Sequence, residues 1–353
     1  MKILLTEKPS GNAYIESLMN AYKKAGHEVF GDASNFFNSN VRPDILHIHW
    51  PERLNEWYSA KKGSQQQWLE LISSRLKWYQ SQNVTIIHTL HNLAPHDSKE
   101  DSSREAFELI IAYSDILVHH CTRSVKIFNK LYSESQEKKN IVCPHGDYLI
   151  DYKFVNREEA RRKLNLPIDK TIILNFGKQR PYKNHNFVVD AFNKLELQSK
   201  YLILAGEYLY PPVSFGQRWL LRSRNMMREI LPNRTVKYFY RSFSSDELAE
   251  IFCAADCIFL GQHSALNSGV LPLAATFRRP VIFPDVGCFS EAMQSWKSEC
   301  FAAGDVQGAA ESLKKICLSV QENNFELPDN GEWLAKNSWE NHVGNILQSV
   351  SDL

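Results

Sequence analysis

From end to end the chain alternates short apolar runs with longer amphipathic stretches, and this pattern restricts the available folds more than any other feature. Short runs without polar alternation fit strands covered on both faces. Intervening segments with helical spacing then imply parallel sheets wound by crossover helices. Strands are expected at Lys2–Thr6, Glu28–Phe30, Ile45–His49, Thr85–His88, Ile116–Val118 and Ile141–Cys143. A second series follows at Thr171–Phe176, Tyr201–Ala205, Val236–Phe239, Cys257–Leu260 and Val281–Phe283, with helical stretches such as Asn186–Leu197 and Ser245–Ala254 between them. The charged segment Val155–Lys170 separates the two series and reads as a short helix and linker. One α/β domain is therefore expected over 1–165 and another over 166–335. Residues 336–353 read as a final helix, capped by Ser338 with apolar spacing through Trp339, Val343 and Ile346, that packs back on the first domain.

A chain of 353 residues that is 43% hydrophobic can bury two cores. Its 41 Lys and Arg against 40 Asp and Glu leave a formal charge of +1, which provides no global field for nucleic acid. Any anion must be bound locally. The seven cysteines are scattered and form no C-x-x-C pair, which speaks against a disulfide framework or structural zinc and fits a reducing cytoplasm. The start, M-K-I-L-L-T-E-K-P, lacks a signal-peptide core, and no apolar run reaches membrane-spanning length. A cytoplasmic protein, peripheral to a membrane at most, is expected.

In parallel α/β sheets, ligands bind beyond the carboxyl ends of the strands. After the first expected strand comes K-P-S-G-N-A-Y, with Gly11, Asn12 and Tyr14. After the third comes H-I-H-W-P-E, with His49, Trp50 and Glu52. The fourth leads into H-T-L-H-N-L-A-P-H-D, with His91, His96 and Asp97, the fifth into His119 and His120, and the sixth into P-H-G-D-Y. Polar and aromatic groups thus collect on one rim. In the second domain, F-G-K-Q-R-P-Y-K-N-H (Phe176–His185) follows the first strand. Gly177 allows a sharp turn there, and Arg180 and Lys183 offer a planar fork and a point charge suited to a diphosphate. Asn267-Ser268-Gly269 precedes V-L-P-L-A-A-T-F, so the backbone through Val270 can open a helix towards an anion. The same residues also read as an ordinary cap at Asn267 or Ser268.

These segments resemble GT-B glycosyltransferases of the family 4 type. The resemblance rests on F-G-x-x-R-P-Y-K-N at Phe176–Asn184, L-A-G-E at Leu204–Glu207, the run Ser244–Asp256, and S-G-V-L-P-L-A-x-x-F-x-x-P-V-I-x-P-D-V-G-C at Ser268–Cys288. H-I-H-W-P and H-N-x-x-P-H are similar to segments of members that act on polysaccharide or lipid-linked acceptors. The resemblance implies two Rossmann-like domains facing across a cleft, moving a hexose from a nucleotide diphosphate sugar to a glycan or lipid-linked glycan. It puts Gly177, Arg180 and Lys183 on the donor diphosphate and the Asn267–Val270 backbone on its distal phosphate. Glu207 falls near the donor pocket and His91 near the transferred sugar. Gly11, Asn12, Tyr14, His49, Trp50, His96, Asp97 and His119 become acceptor-side candidates.

One departure matters. Two glutamates common in the family fall here on Ala265 and Leu273, neither of which can move a proton. A base, where the reaction needs one, must come from His91, His96, Asp97, Glu52, His49 or His119, and a retaining transfer on one face needs none. A zinc site of His47, His49, His88 and His91 is conceivable. Because Arg180 and Lys183 already supply positive charge, no metal and no cofactor beyond the donor is expected. The missing acids also admit an inactive binding protein of the same shape, and a nucleotide-sugar epimerase is a further alternative. Phe215–Leu231, with Arg218, Arg222, Arg224 and Arg228 among Trp219, Leu220, Leu221, Met226 and Met227, could lie on a membrane. The expectation is instead a helix packed on its own sheet with its arginines outward. Trp57, Trp68 and Trp78 around Lys61 and Lys62 raise a similar possibility of an acceptor platform.

Overall fold

Side chains alternate between the faces of a strand, so each apolar run must find cover on both sides. A computed structural model shows how this is met. It describes the chain except residues 10, 55–63, 93–100, 150–151, 179, 181–182, 209–213 and 231–234, and except the side chains of 65, 101–103, 134, 215 and 230. The chain forms two compact units, Met1–Gly146 with Ala335–Leu353, and Asp147–Leu334.

The first unit is built on a six-stranded sheet of order β2-β1-β3-β4-β5-β6. Its strands are β1 (Lys2–Leu5), β2 (Glu28–Gly31), β3 (Ile45–Ile48), β4 (Thr85–Thr89), β5 (Ile116–His119) and β6 (Lys139–Val142), and all neighbours are parallel. Leu4, Leu46, Ile48 and Ile86 face one way, against Ile72 and Leu76 of helix Gln65–Ser81 and Ala106 and Ile110 of helix Asp101–Tyr113. Ile3, Leu5, Ile45, Ile87, Ile116 and Val118 face the other, against helix Ala13–Lys24 and the C-terminal helix Trp339–Ser351. Ser338 caps the latter by accepting from the Asn341 amide at 3.2 Å, while Val343 and Ile346 enter the core.

The division falls at Gly146, ahead of the boundary near residue 165 expected from sequence. The reason lies in the stretch that read as a linker. Its helix, Arg157–Lys163, turns Arg161 inward to complete burial, where it pairs with Asp256 at 2.6 Å and donates to the carbonyls of Ala254, Ile168 and Lys170. Arg157 reaches the other oxygen of Asp256 at 2.7 Å. These ties fasten residues 147–165 to the second unit.

The second unit's sheet has the order β12-β11-β10-β7-β8-β9, formed by β7 (Thr171–Phe176), β8 (Lys200–Ala205), β9 (Val236–Phe239), β10 (Cys257–Phe259), β11 (Val281–Pro284) and β12 (Ser298–Phe301). All pairs are again parallel. The sequence reading omitted β12, whose S-E-C-F is too polar to mark a buried strand. As an edge strand it pairs with β11 alone and is only partly covered.

Helix Phe215–Ile230 packs on its own sheet with Arg218, Arg222, Arg224 and Arg228 exposed, as expected, but most of its large apolar side chains are exposed as well. It lies against β9, but the inward side carries half-buried Leu221 and buried Asn225, while Trp219, Leu220, Met226 and Met227 point to solvent. At 100° per residue these four lie opposite Leu221 and Asn225, so one helix cannot bury both groups against one sheet. Trp68 is a core residue, not part of a surface platform, and Trp57, Lys61 and Lys62 lie outside the described residues. Among the described residues no helix is long and apolar enough to cross a membrane.

Candidate functional site

In the second unit the ends of β7 and β8 approach closely because two glycines follow them. Gly177 (φ 114°) and Gly206 (φ 129°) occupy backbone conformations that side chains disfavour. A Cβ on Gly206 would strike the Gly177 carbonyl, and one on Gly177 would occupy the place of Lys183 Nζ. The Lys183 ammonium therefore lies directly on the turn. It donates to the Phe176 carbonyl at 3.2 Å and is only 8% exposed. Burial, and secondarily Arg180, pull its pKa down to about 8. Among the described residues no carboxylate pairs with it. Arg180 is half-buried, and its carbonyl accepts from the Lys183 amide at 3.0 Å. Asn184, in the left-handed region at φ 50°, ends the turn and caps helix His185–Lys194 through the Phe187 amide. Gln179, Pro181 and Tyr182 lie outside the described residues.

Three buried polar groups near these strand ends escaped the sequence reading. Asn175 donates to the Phe259 carbonyl at 2.8 Å but leaves Oδ1 without a protein partner, and Gln262 Oε1 and His185 Nε2 are in the same state. The only signal for Asn175 was a polar residue interrupting an otherwise apolar strand. Glu207 lies 3.7 Å from Lys178, whose side chain is largely exposed while that of Glu207 is half-buried.

The turn at 263–269 is pinned from one side. Gly287 (φ 49°) lies against the Ala265 and Leu266 carbonyls so closely that a Cβ would overlap them, and the Cys288 amide donates to Leu266 at 2.8 Å. The expected cap at Asn267 or Ser268 does not form. Gly269 itself caps helix Val270–Thr276, already in helical conformation and without a side-chain bond. Asn267 and Ser268 are half-buried and Gly269 is exposed. Ala265 is half-buried and Leu273 buried, so the positions that lack acids are also shielded.

In the first unit, strand alternation sorts the histidines. His47 and His49 follow Ile45 towards the C-terminal helix, as His120 follows Val118, whereas His88 and His119 face the other side with Ile86 and Leu117. His119 is engaged by Ser124 Oγ and Asn140 Oδ1, both at 2.8 Å, so it departs from the acceptor-side group. His47 is similarly held by Tyr22 and Thr89, at 3.1 and 2.7 Å. With His88 against Phe107 on the far face, the four-histidine zinc set does not assemble.

What assembles instead is a ring of imidazoles around Tyr14. His91, His145, His49, His120 and His342 meet the phenol ring edge-on at 4.8, 4.9, 5.6, 5.8 and 6.2 Å between centroids. Trp50 and Trp339 complete the enclosure, and Trp50 stacks on His91 at 4.2 Å. His49 Nδ1 is hydrogen-bonded to His91 Nε2 at 3.1 Å, and His342 Nδ1 donates to the Pro144 carbonyl at 2.8 Å. Trp339 and His342 were missed as site residues; a histidine on the apolar stripe of the last helix was the available signal. Glu7 was also missed. Two residues beyond β1, it accepts from Arg53 Nη1 at 2.8 Å, and that guanidinium lies over Trp50. Gly11 is exposed with φ 80°, Asn12 opens helix Ala13–Lys24 without a side-chain bond, and Glu52 is half-buried. His96 and Asp97 lie outside the described residues.

Burial keeps this ring neutral. Desolvation, followed by repulsion from neighbouring imidazoles, holds His49 and His91 well below the usual histidine range. Burial lowers His120 to about 4 and His145 and His342 to about 3. Because the folded pKa values lie below the unfolded value of 6.5, stability is intact above that pH. As pH falls below it the unfolded chain takes up protons first, and each such histidine removes about 1.4 kcal/mol per pH unit. The urea midpoint of the first unit is therefore expected to fall steeply between pH 7 and 5. An unchanged midpoint would contradict the neutral ring.

Comparison with known proteins bears on both units. Residues 156–331 match the family described as glycosyl transferases group 1. The chain is 26% identical over 283 residues to a GDP-mannose:glycolipid 4-beta-D-mannosyltransferase of Xanthomonas campestris pv. campestris, covering 79% of this chain and 72% of that protein. It is 24% identical to a D-inositol 3-phosphate glycosyltransferase of Rhodococcus opacus (strain B4) over 87% of this chain, spanning 66% of that relative's length. Sucrose-phosphate synthase from Thermosynechococcus elongatus superposes with a TM-score of 0.72 at 16% identity, covering 99% and 98% of the two chains. Anabaena Alr3699/HepE, solved with UDP and glucose, superposes with 0.69 at 15% identity and complete coverage of both. These likenesses place the fold in the GT-B class.

Proposed function

We infer donor and acceptor from one premise: this chain belongs, through residues 156–331, to the glycosyl transferases group 1 family, and it transfers a sugar from a nucleotide sugar to an acceptor. The donor would be a hexose on a nucleoside diphosphate, held by the second unit. The acceptor would be a glycan or lipid-linked glycan, met by the first unit on the cytoplasmic side of a membrane. The observation that carries this reading is Lys183, a buried cation beside Arg180 with no described carboxylate partner, lying on a glycine turn. A buried charge without a counter-charge is costly, and a diphosphate supplies one. Arg180 would share that diphosphate and the Asn267–Val270 backbone its distal phosphate, with Glu207 nearer the rest of the donor. Together these cations would stabilise the negative charge that develops on the leaving nucleotide.

On the acceptor side, His91 is the residue of choice. Its depressed pKa makes it a weak base but a dependable neutral hydrogen-bonding group, suited to a sugar hydroxyl within an aromatic enclosure. A glycolipid acceptor is consistent with the name of the Xanthomonas relative. Ala265 and Leu273 remove the acids from the donor loop, so the cations carry the catalytic load in this reading.

A thermal-shift screen of GDP-, UDP- and ADP-hexoses tests it. The correct donor at 100 times its dissociation constant should stabilise the protein by about 2.7 kcal/mol, and the free sugar should not. Absence of a shift with every nucleotide sugar, in protein shown to be folded, would overturn the donor assignment.

A further inference from the structure

We propose that helix Phe215–Ile230 is a membrane-binding surface that lays its outer face on an anionic lipid bilayer. Trp219, Leu220, Met226 and Met227 fall within one arc of the helix, centred on Ser223 and directed away from β9. They are exposed by 61, 63, 57 and 54%, whereas the other exposed large apolar residues are spread over separate elements. Arginines border this arc on both sides, Arg218 and Arg222 along one edge and Arg224 and Arg228 along the other, all exposed. Arg228 lies 5.5 Å over the Tyr238 ring. The single acid of the helix, Glu229, accepts from the Tyr240 amide at 2.5 Å. Four arginines less one glutamate leave the helix with a formal charge of +3.

An apolar centre with cationic rims matches the boundary between lipid headgroups and acyl chains. The tryptophan, leucine and methionines can enter the acyl edge while the guanidiniums stay among the phosphates. Charge decides against a second copy of the chain as the occupant. A two-fold contact through this face would set the same arginines against each other, whereas anionic headgroups neutralise them. The surface accords with a lipid-linked acceptor but depends on no step of sugar transfer.

The test is co-sedimentation of the full chain with vesicles of phosphatidylcholine alone or mixed equally with phosphatidylglycerol, at low and physiological salt. Binding is expected to be at least about tenfold tighter to the anionic vesicles and to weaken with salt. Each arginine near such a surface contributes roughly a fivefold factor, so R218Q/R222Q should weaken binding by roughly 25-fold. Trp219→Ser with Met227→Ser should lower it by about tenfold or more, with circular dichroism and nucleotide-sugar binding unchanged in both variants. Equal binding to the two vesicle types, no binding, or native-like binding by the variants would overturn the proposal. So would a solution dimer that the serine variant abolishes. Because the measurement uses neither donor nor acceptor, its failure would leave the transfer reading untouched.

Discussion

Lys183→Met is expected to reduce sugar transfer by roughly 10²–10³-fold without lowering the unfolding midpoint. The loss follows from removing a preorganised cation from the leaving group, where one such donor is worth about that factor. The effect on stability has the opposite sign. In the folded chain the Lys183 pKa falls from 10.5 to about 8, with burial as the main cause. A lysine with a depressed folded pKa penalises folding fully below that value, and the penalty fades as pH rises towards 10.5. At neutral pH the penalty is on the order of 3 kcal/mol, so methionine should leave stability equal or raised. Arg180→Ala should reduce transfer in the same direction, by roughly 10²-fold, with the fold intact. Steady-state transfer rates and urea midpoints, measured side by side, decide the matter. Near-normal transfer in both variants would sink the diphosphate assignment, and a large loss of stability in Lys183→Met would make that residue structural instead.

Asp256→Ala is expected to destabilise the second unit by about 3–5 kcal/mol, the cost of leaving a buried charge without its partner. Asp256 is 3% exposed and accepts from Arg161 at 2.6 Å, from Arg157 at 2.7 Å and from the Ile172 amide at 2.7 Å. Arg161 has no access to water, so the substitution strands its guanidinium. Burial already lowers the Arg161 pKa, and Asp256 is the main opposing influence. Asp256→Asn keeps the shape and an acceptor for the Ile172 amide but loses the charge, and should fall between the two. Chemical denaturation of the three proteins gives the answer. A loss below about 1 kcal/mol for alanine would show that these ties do not anchor residues 147–165.

Much of the glycine turn after β7, which we propose holds the donor, was legible because its signals are local. The apolar run of β7, the glycine after it and the cations three and six residues beyond Gly177 stand close together in the chain, and Gly177 takes the positive φ that a sharp turn after β7 requires. Arg161 was not legible in the same way. Within R-E-E-A-R-R-K it looks like any solvated cation, and only Asp256, 95 residues away, makes it a buried one. The outward face of Phe215–Ile230 was hidden for a related reason. Periodicity reveals that a helix has an apolar side but not which way that side turns.

The first unit's ring of histidines marks the same division. Parallel strands, with polar and aromatic residues beyond their carboxyl ends, could be read along the chain because hydrophobic period and turn composition act over a few residues. Tertiary structure decided which of those residues meet. Strand alternation sends His49 and His120 to one face and His88 and His119 to the other, and this matters only once each face has acquired its cover. The C-terminal helix then brings His342 to within 3.5 Å of the Tyr14 hydroxyl across 328 residues of chain. No local pattern encodes that meeting, because the burial of Trp339, Val343 and Ile346 on the sheet puts His342 there.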